Sequence, residues 1–209
     1  MLISNYKTIA LIGYPESTLT QEAEYWMSLE HSGKIIIISP EEFEALPDRS
    51  VYQYGVAFTL DLNRRKEIIN IVEQENLDCI RYIHDTVVCY TKDWQSIVGR
   101  GSFIAPYSTI LLNSQIGAHC IIEAHCLIAH YVELSNRVII HAGSMIAGKT
   151  KVGSDTVFQF RSSALPSLTI CEGVEVGATS TVTKDIDRPG YYVGTPARRL
   201  GNRQNFKDE

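Results

Sequence analysis

The chain has 209 residues, of which 44% are apolar and 21% charged, and it carries a formal net charge of −5 at pH 7. That is enough apolar material for one or two packed domains, and the negative balance argues against nucleic acid as the main partner. The sequence has no run of 18 apolar residues and no charged leader followed by a cleavage site, which predicts neither a membrane-spanning helix nor a signal peptide.

The charge is uneven: residues 1–90 hold 7 basic and 14 acidic side chains, residues 91–209 hold 12 and 10. The five cysteines (Cys79, Cys89, Cys120, Cys126, Cys171) are odd in number and lack metal-ligand spacing. They read as reduced packing residues, so a cytoplasmic protein with no bound metal is expected.

In chain order, residues 6–15 read as a strand ending at Gly13, and residues 17–30 as a helix capped by Ser17 or Thr18. Residues 34–40 contain four consecutive isoleucines, which suits a parallel strand covered on both faces. A short helix (EEFEAL), a third strand over 54–60 and a helix over 62–76, with Ile68, Ile69 and Val72 on one face, follow. A fourth strand is predicted over 79–88. Strands alternating with helices predict a βαβαβαβ domain over residues 1–90 with a small parallel sheet. A dinucleotide-binding turn after the first strand would be rich in glycine; Gly13-Tyr14-Pro15-Glu16-Ser17 has one glycine and a carboxylate. Gly13 remains a candidate substrate contact. His31 reads as loop surface.

From Val98 to Val182, every sixth residue is apolar, fifteen times without a break. At this composition the chance of such a run is below about one in a thousand. Four places after each of these comes a second column without charge, amide or glycine, including Ser102, Ser108, Cys120, Cys126 and Ser144. A hexapeptide period predicts a parallel β-helix in which three short strands and three corners close a turn of eighteen residues. Fifteen hexads make about five coils over residues 91–187, and residues eighteen apart lie one above the other. The period ends at Arg188-Pro189-Gly190, leaving 188–209 as a tail that must cover the last coil. By this stacking rule Gly148 stands one coil above His130 at an outward corner, and His141 stands between Glu123 and Gln159. His119 and His125 read as polar surface corners.

The hexapeptide run, the closing Val193-Gly194-Thr195-Pro196-Ala197-Arg198 and the small leading α/β domain together resemble bacterial acyltransferases of amino-sugar pathways. These are the sialic-acid O-acetyltransferase and bacillosamine N-acetyltransferase group. The more specific part is Ile122 to His130 together with Ile140 to Gly148. The resemblance implies a left-handed β-helix, a homotrimer, and acetyl-CoA as co-substrate in the groove between neighbouring solenoids. It implies a sugar acceptor, free or nucleotide-linked, bound with help from the leading domain. It implies His130 as general base and the Gly148 N–H as the donor that polarises the thioester carbonyl. Gly177, Ala178, Pro196, Arg198 and Arg199 fall at positions near the cofactor, the two arginines as partners for its phosphates. Glu123, Tyr131 and His141 are candidate substrate contacts.

The chain departs from that pattern. Tyr131 stands where the family usually has a carboxylate directly after the base, leaving Glu123 or Glu133 as substitutes. Ile139 stands where the family has a second histidine, with His141 two residues away. Two other readings compete. Trimeric zinc carbonic anhydrases share the solenoid, and His125 and His130 have their five-residue spacing; but the two fall three and two places after their columns instead of two and one. Tyr131 also motivates a catalytically silent trimeric scaffold.

Overall fold

The computed structural model describes residues 8–30, 33–59, 61–91 and 93–202. The readings on residues 6–7, His31 and the end of the tail lie outside the described residues. The chain divides into two compact units that change over between Tyr82 and Ile83.

The first unit is a three-stranded parallel sheet. Its strands β1 (Thr8–Ile12), β2 (Ile35–Ile38) and β3 (Tyr52–Val56) run in the order β2-β1-β3. Helix α1 (Thr18–Glu30) links β1 to β2, α2 (Pro40–Ala45) links β2 to β3, and α3 (Leu62–Gln74) follows. The central strand β1 buries Ile9, Ala10, Leu11 and Ile12 completely. The isoleucine run expected to be buried on both faces instead forms an edge strand, half-buried along its length. Helix α2 starts with a reciprocal cap: Ser39 Oγ accepts from the Glu42 N–H at 3.1 Å, and Glu42 accepts from the Ser39 N–H at 2.7 Å. Helix α3 is capped by Asp61 and buries the predicted Ile68, Ile69 and Val72.

The predicted fourth strand does not form as one. Only Cys79 bridges Tyr54, while Tyr82–Ile83 and Val88–Cys89 are short strands of two solenoid sheets. An apolar run shows that a segment is buried, not which ladder it joins.

The second unit is a β-solenoid of about six turns. All fifteen column residues from Val98 to Val182 are at most 4% exposed. They line a prism whose faces are three parallel sheets, with each strand paired to the one eighteen residues on: Ile128↔Ile146, Ile122↔Ile140 and Leu134↔Val152. One coil precedes the predicted five. Cys89 pairs with Ile110, twenty-one residues later instead of eighteen, because a 3₁₀ turn at Trp94–Ser96 takes up three extra residues. That insertion breaks the period and hid the coil. At the other end the last coil is shortened, and Ile186 bridges Ile170. The segment Gly190–Val193 then lies parallel on Val174–Val176, and Arg198–Gly201 folds back antiparallel, so the tail continues the sheet past the last coil.

The small-residue column does more than fill space. Ser102 Oγ donates to the Gly117 carbonyl at 2.8 Å and accepts from the Cys120 N–H at 2.9 Å; Ser108 does the same with Glu123 O and Cys126 N. Hydroxyls thus satisfy corner groups that no strand partner reaches. Each corner also carries a residue in the left-handed region three places after the column, fourteen in succession from Gly101 to Thr179, only three of them glycine.

Candidate active site

His130 lies two places after Ile128, at the corner that follows one face of the prism, and is exposed. Gly148 lies one coil above it. A Cβ built on Gly148 would fall 2.7 Å from His130 Nε2, and its three nearest neighbours would all be atoms of that ring. The Gly148 φ is not in the left-handed region, so glycine is required here by close approach and not by the turn. At two other corners of this register a side chain from a neighbouring coil takes the backbone N–H: Asn136 Oδ1 at Ala118, and Glu123 Oε2 at Ala142. Among the described residues no acceptor is paired with the Gly148 N–H. An imidazole and an uncommitted N–H therefore share one edge, the pair an acyl transfer needs.

Neither carboxylate proposed as support for His130 serves it. Glu133 pairs with Lys151 Nζ at 3.1 Å. Glu123 accepts from His141 Nδ1 at 2.8 Å through one oxygen and from the Ala142 N–H at 3.0 Å through the other. The side chains of His141 and Glu123 are 12% and 17% exposed. Phe160, two places after Phe158 and one coil above Ala142, tilts its ring against His141 at 4.9 Å between centroids. No part of the sequence reading singled out Phe160, although its register position, eighteen after Ala142, pointed to it. Tyr131 stands at a left-handed corner with φ of 60° and meets the His130 ring edge-on at 5.8 Å.

One expectation needs correction. His119 is buried, 2% exposed, against Gly101, which lacks the side chain that would exclude it; it is no surface residue. His125 does lie outward and stacks on Tyr107 at 5.1 Å, on a different edge of the prism from His130. The Cβ of any residue replacing Gly177 would meet Val193 Cγ1 at 2.8 Å and the Tyr191 hydroxyl at 2.9 Å, so the returning tail accounts for that glycine. Ala178 and Pro196 are exposed, the latter after a cis peptide bond. Both tail arginines are exposed; Arg199 is tied to its own hairpin, donating to Pro189 O at 3.1 Å and Asn202 Oδ1 at 2.8 Å, whereas among the described residues Arg198 donates to the adjacent Ala197 O alone.

In the first unit, strand order reverses between β1 and β3, where open parallel sheets take their ligands. Here that crevice is occupied by the chain itself. Thr20 packs against Gly13 and donates to Ala57 O at 2.8 Å, and Tyr14 meets Phe58 edge-on at 5.5 Å. Burial pushes the Tyr14 phenol above its usual value. Arg64, the cation at this end, is shared among Glu41, Glu44 and Glu67.

No model of a known protein family matches the chain. A Staphylococcus aureus (strain Mu50) protein provisionally named an acetyltransferase is 29% identical over 140 residues, 66% of this chain and 69% of its own. PerB of Caulobacter crescentus, solved with CoA and GDP-perosamine, superposes with a TM-score of 0.76 at 19% identity, covering 93% of this chain and 97% of that one. The acetyltransferase domain of PglB from Neisseria gonorrhoeae, solved with acetyl coenzyme A, gives 0.73 at 18% identity over 93% and 99%. The fold is that of the hexapeptide-repeat sugar acetyltransferases. Within that acetyltransferase fold both units are matched, since the superpositions run over nearly the whole of either chain.

Proposed function

We infer that the chain is an acetyl-CoA-dependent sugar acetyltransferase, and the observation that carries this is the His130–Gly148 edge. The acceptor amine or hydroxyl attacks the thioester carbon while His130 takes its proton. The Gly148 N–H hydrogen-bonds the oxyanion of the tetrahedral intermediate, and the imidazolium returns the proton to the departing thiolate. The acceptor is an amino sugar; in PerB the bound sugar is nucleotide-linked. The first unit is assigned to helping hold that acceptor beside the β1–β3 switch point, whose own crevice Thr20, Tyr14 and Phe58 fill. Arg198 is assigned to the phosphates of CoA, and Arg199 is left to the hairpin.

The working form is a homotrimer. Leu112, one coil below His130, and Tyr131 and Leu165 beside the same edge are 55%, 52% and 45% exposed, an apolar rim that a second copy would cover. The sedimentation mass should be three times 23.4 kDa. A cytoplasmic location fits five free thiols, two of them buried. Among the described residues no helix is long and apolar enough to cross a membrane.

The deciding experiment is calorimetric titration with acetyl-CoA, followed by thiol release in the presence of 4-amino sugars, free and nucleotide-linked. Micromolar binding near one site per chain and turnover that is lost in His130→Ala support the reading. Among the described residues no carboxylate meets His130, which favours one rival, a silent scaffold, and no binding up to millimolar cofactor would sink the enzyme reading in its favour.

A further inference from the structure

The Glu123–His141–Phe160 cluster is not used by the chemistry at His130, and its geometry is too specific for a surface ion pair. Glu123 is held from two sides, by His141 Nδ1 and by the Ala142 N–H. A carboxylate only accepts, so Nδ1 carries the proton, and in the neutral imidazole Nε2 then presents a lone pair. Among the described residues nothing bonds Nε2. Beside it stands Phe160, 52% exposed and tilted 32° from the imidazole plane.

A carboxylate-oriented imidazole is also how a general base is built, and the structure separates the two roles. Acyl transfer needs a donor for the oxyanion. The local candidate is the Ala142 N–H, the counterpart of Gly148 at this edge, and Glu123 consumes it. What remains is one fixed acceptor next to one exposed aromatic face.

We propose that Glu123, His141 and Phe160 form a binding subsite for a hydroxylated pyranose ring. The apolar C–H face of the sugar packs on Phe160, and a ring hydroxyl donates to His141 Nε2. Glu123 is a positioning residue that fixes the tautomer and the ring plane. The sugar class rests on the acetyltransferase reading; the cluster's chemistry, an acceptor beside an aromatic wall, does not.

The test is saturation-transfer NMR on the full chain without cofactor, titrating 4-amino-4,6-dideoxyglucose, with cyclohexylamine as a ring of similar size that lacks hydroxyls. The wild type should take up the sugar and not cyclohexylamine. His141→Asn keeps a donor for Glu123 but removes Nε2, and Phe160→Leu keeps an apolar side chain but removes the ring. Each should weaken sugar binding about tenfold, the size of one lost hydrogen bond or aromatic contact, with an unchanged circular dichroism spectrum. In the thiol-release assay both should raise KM for the sugar and leave kcat within about twofold. No saturation of the wild type, or titrations unchanged in both variants, overturns the subsite. Binding that follows this pattern without any thiol release would sink the enzyme reading and leave the subsite standing. Turnover with KM unchanged in both variants would do the reverse.

Discussion

His130 and His141 lie eleven residues apart on neighbouring coils, and their surroundings are opposite. His130 is exposed, flanked by Tyr131, unsupported by any carboxylate among the described residues, and pressed against a glycine whose N–H is uncommitted. His141 is mostly buried, locked by Glu123, and stands next to an N–H already taken. The repeat explains the contrast. A corner two places after the column offers a backbone N–H outward, and the neighbouring coil decides what that group meets. With Glu123 in the coil below, Ala142 is satisfied and the imidazole is oriented. With a glycine and no acceptor, the N–H is left for a ligand. One scaffold thus makes a reactive edge and a recognition edge from the same register.

The largest expected effect is at the reactive edge. His130→Ala should lower kcat by about 10²–10⁴, the usual contribution of a positioned base, with KM for the sugar little changed; stopped thiol-release assays measure it. If kcat falls instead in His141→Asn and survives in His130→Ala, the assignment of the two edges is reversed. Gly148→Ala should come close behind. Its new Cβ would lie 2.7 Å from His130 Nε2 and push the ring away, and a displacement near 1 Å is worth about a hundredfold.

A smaller change would make the two edges alike. Tyr131 sits at φ 60°, a conformation aspartate tolerates, so Tyr131→Asp should fold and place a carboxylate beside His130. An adjacent negative charge favours the imidazolium and raises the histidine pKa. The acid limb of the kcat/KM profile should therefore move to higher pH, with activity lost earlier as pH falls, and the plateau should change by less than about tenfold. A limb that stays where it is would show that the limb does not report His130.

These edges were only partly legible in the sequence. The column from Val98 to Val182 specified the prism because each inward position demands an apolar side chain whatever its neighbours do. By the same stacking rule Gly148 over His130, and His141 over Glu123, followed from counting eighteen. Counting could not decide which way a carboxylate turns. Glu123 was a candidate support for either histidine, and the Ala142 N–H, invisible in a sequence, draws it to His141. Phe160 was missed because it stands outside both columns, and His119 was misplaced because its burial depends on Gly101 one coil away. The first coil was lost to three inserted residues around Trp94. In the α/β unit, isoleucines that read as a strand covered on both faces form a half-buried edge, since strand order is a tertiary choice that composition does not encode.

The smallest predicted effect concerns the floor beneath the recognition edge. Cys126 occupies the corner column where most coils use serine or threonine, and its Sγ donates to the His141 carbonyl at 3.3 Å. Burial pushes its pKa up to about 12 from an ordinary 9.0. The unfolded chain therefore releases this proton at a lower pH than the folded one. The stability that the buried thiol contributes is complete below about 9 and drains away as pH rises towards 12. Cys126→Ser should keep the bond to His141, leave sugar binding unchanged, and alter neutral stability by no more than about 1 kcal/mol. It should also flatten the fall in melting temperature on the alkaline side. Cys126→Val, a residue the column already tolerates at 132 and 138, removes the donor and should weaken sugar binding slightly through a looser His141. If serine and valine behave alike at every pH, the corner column is filler at this coil, and the orientation of His141 depends on Glu123 alone.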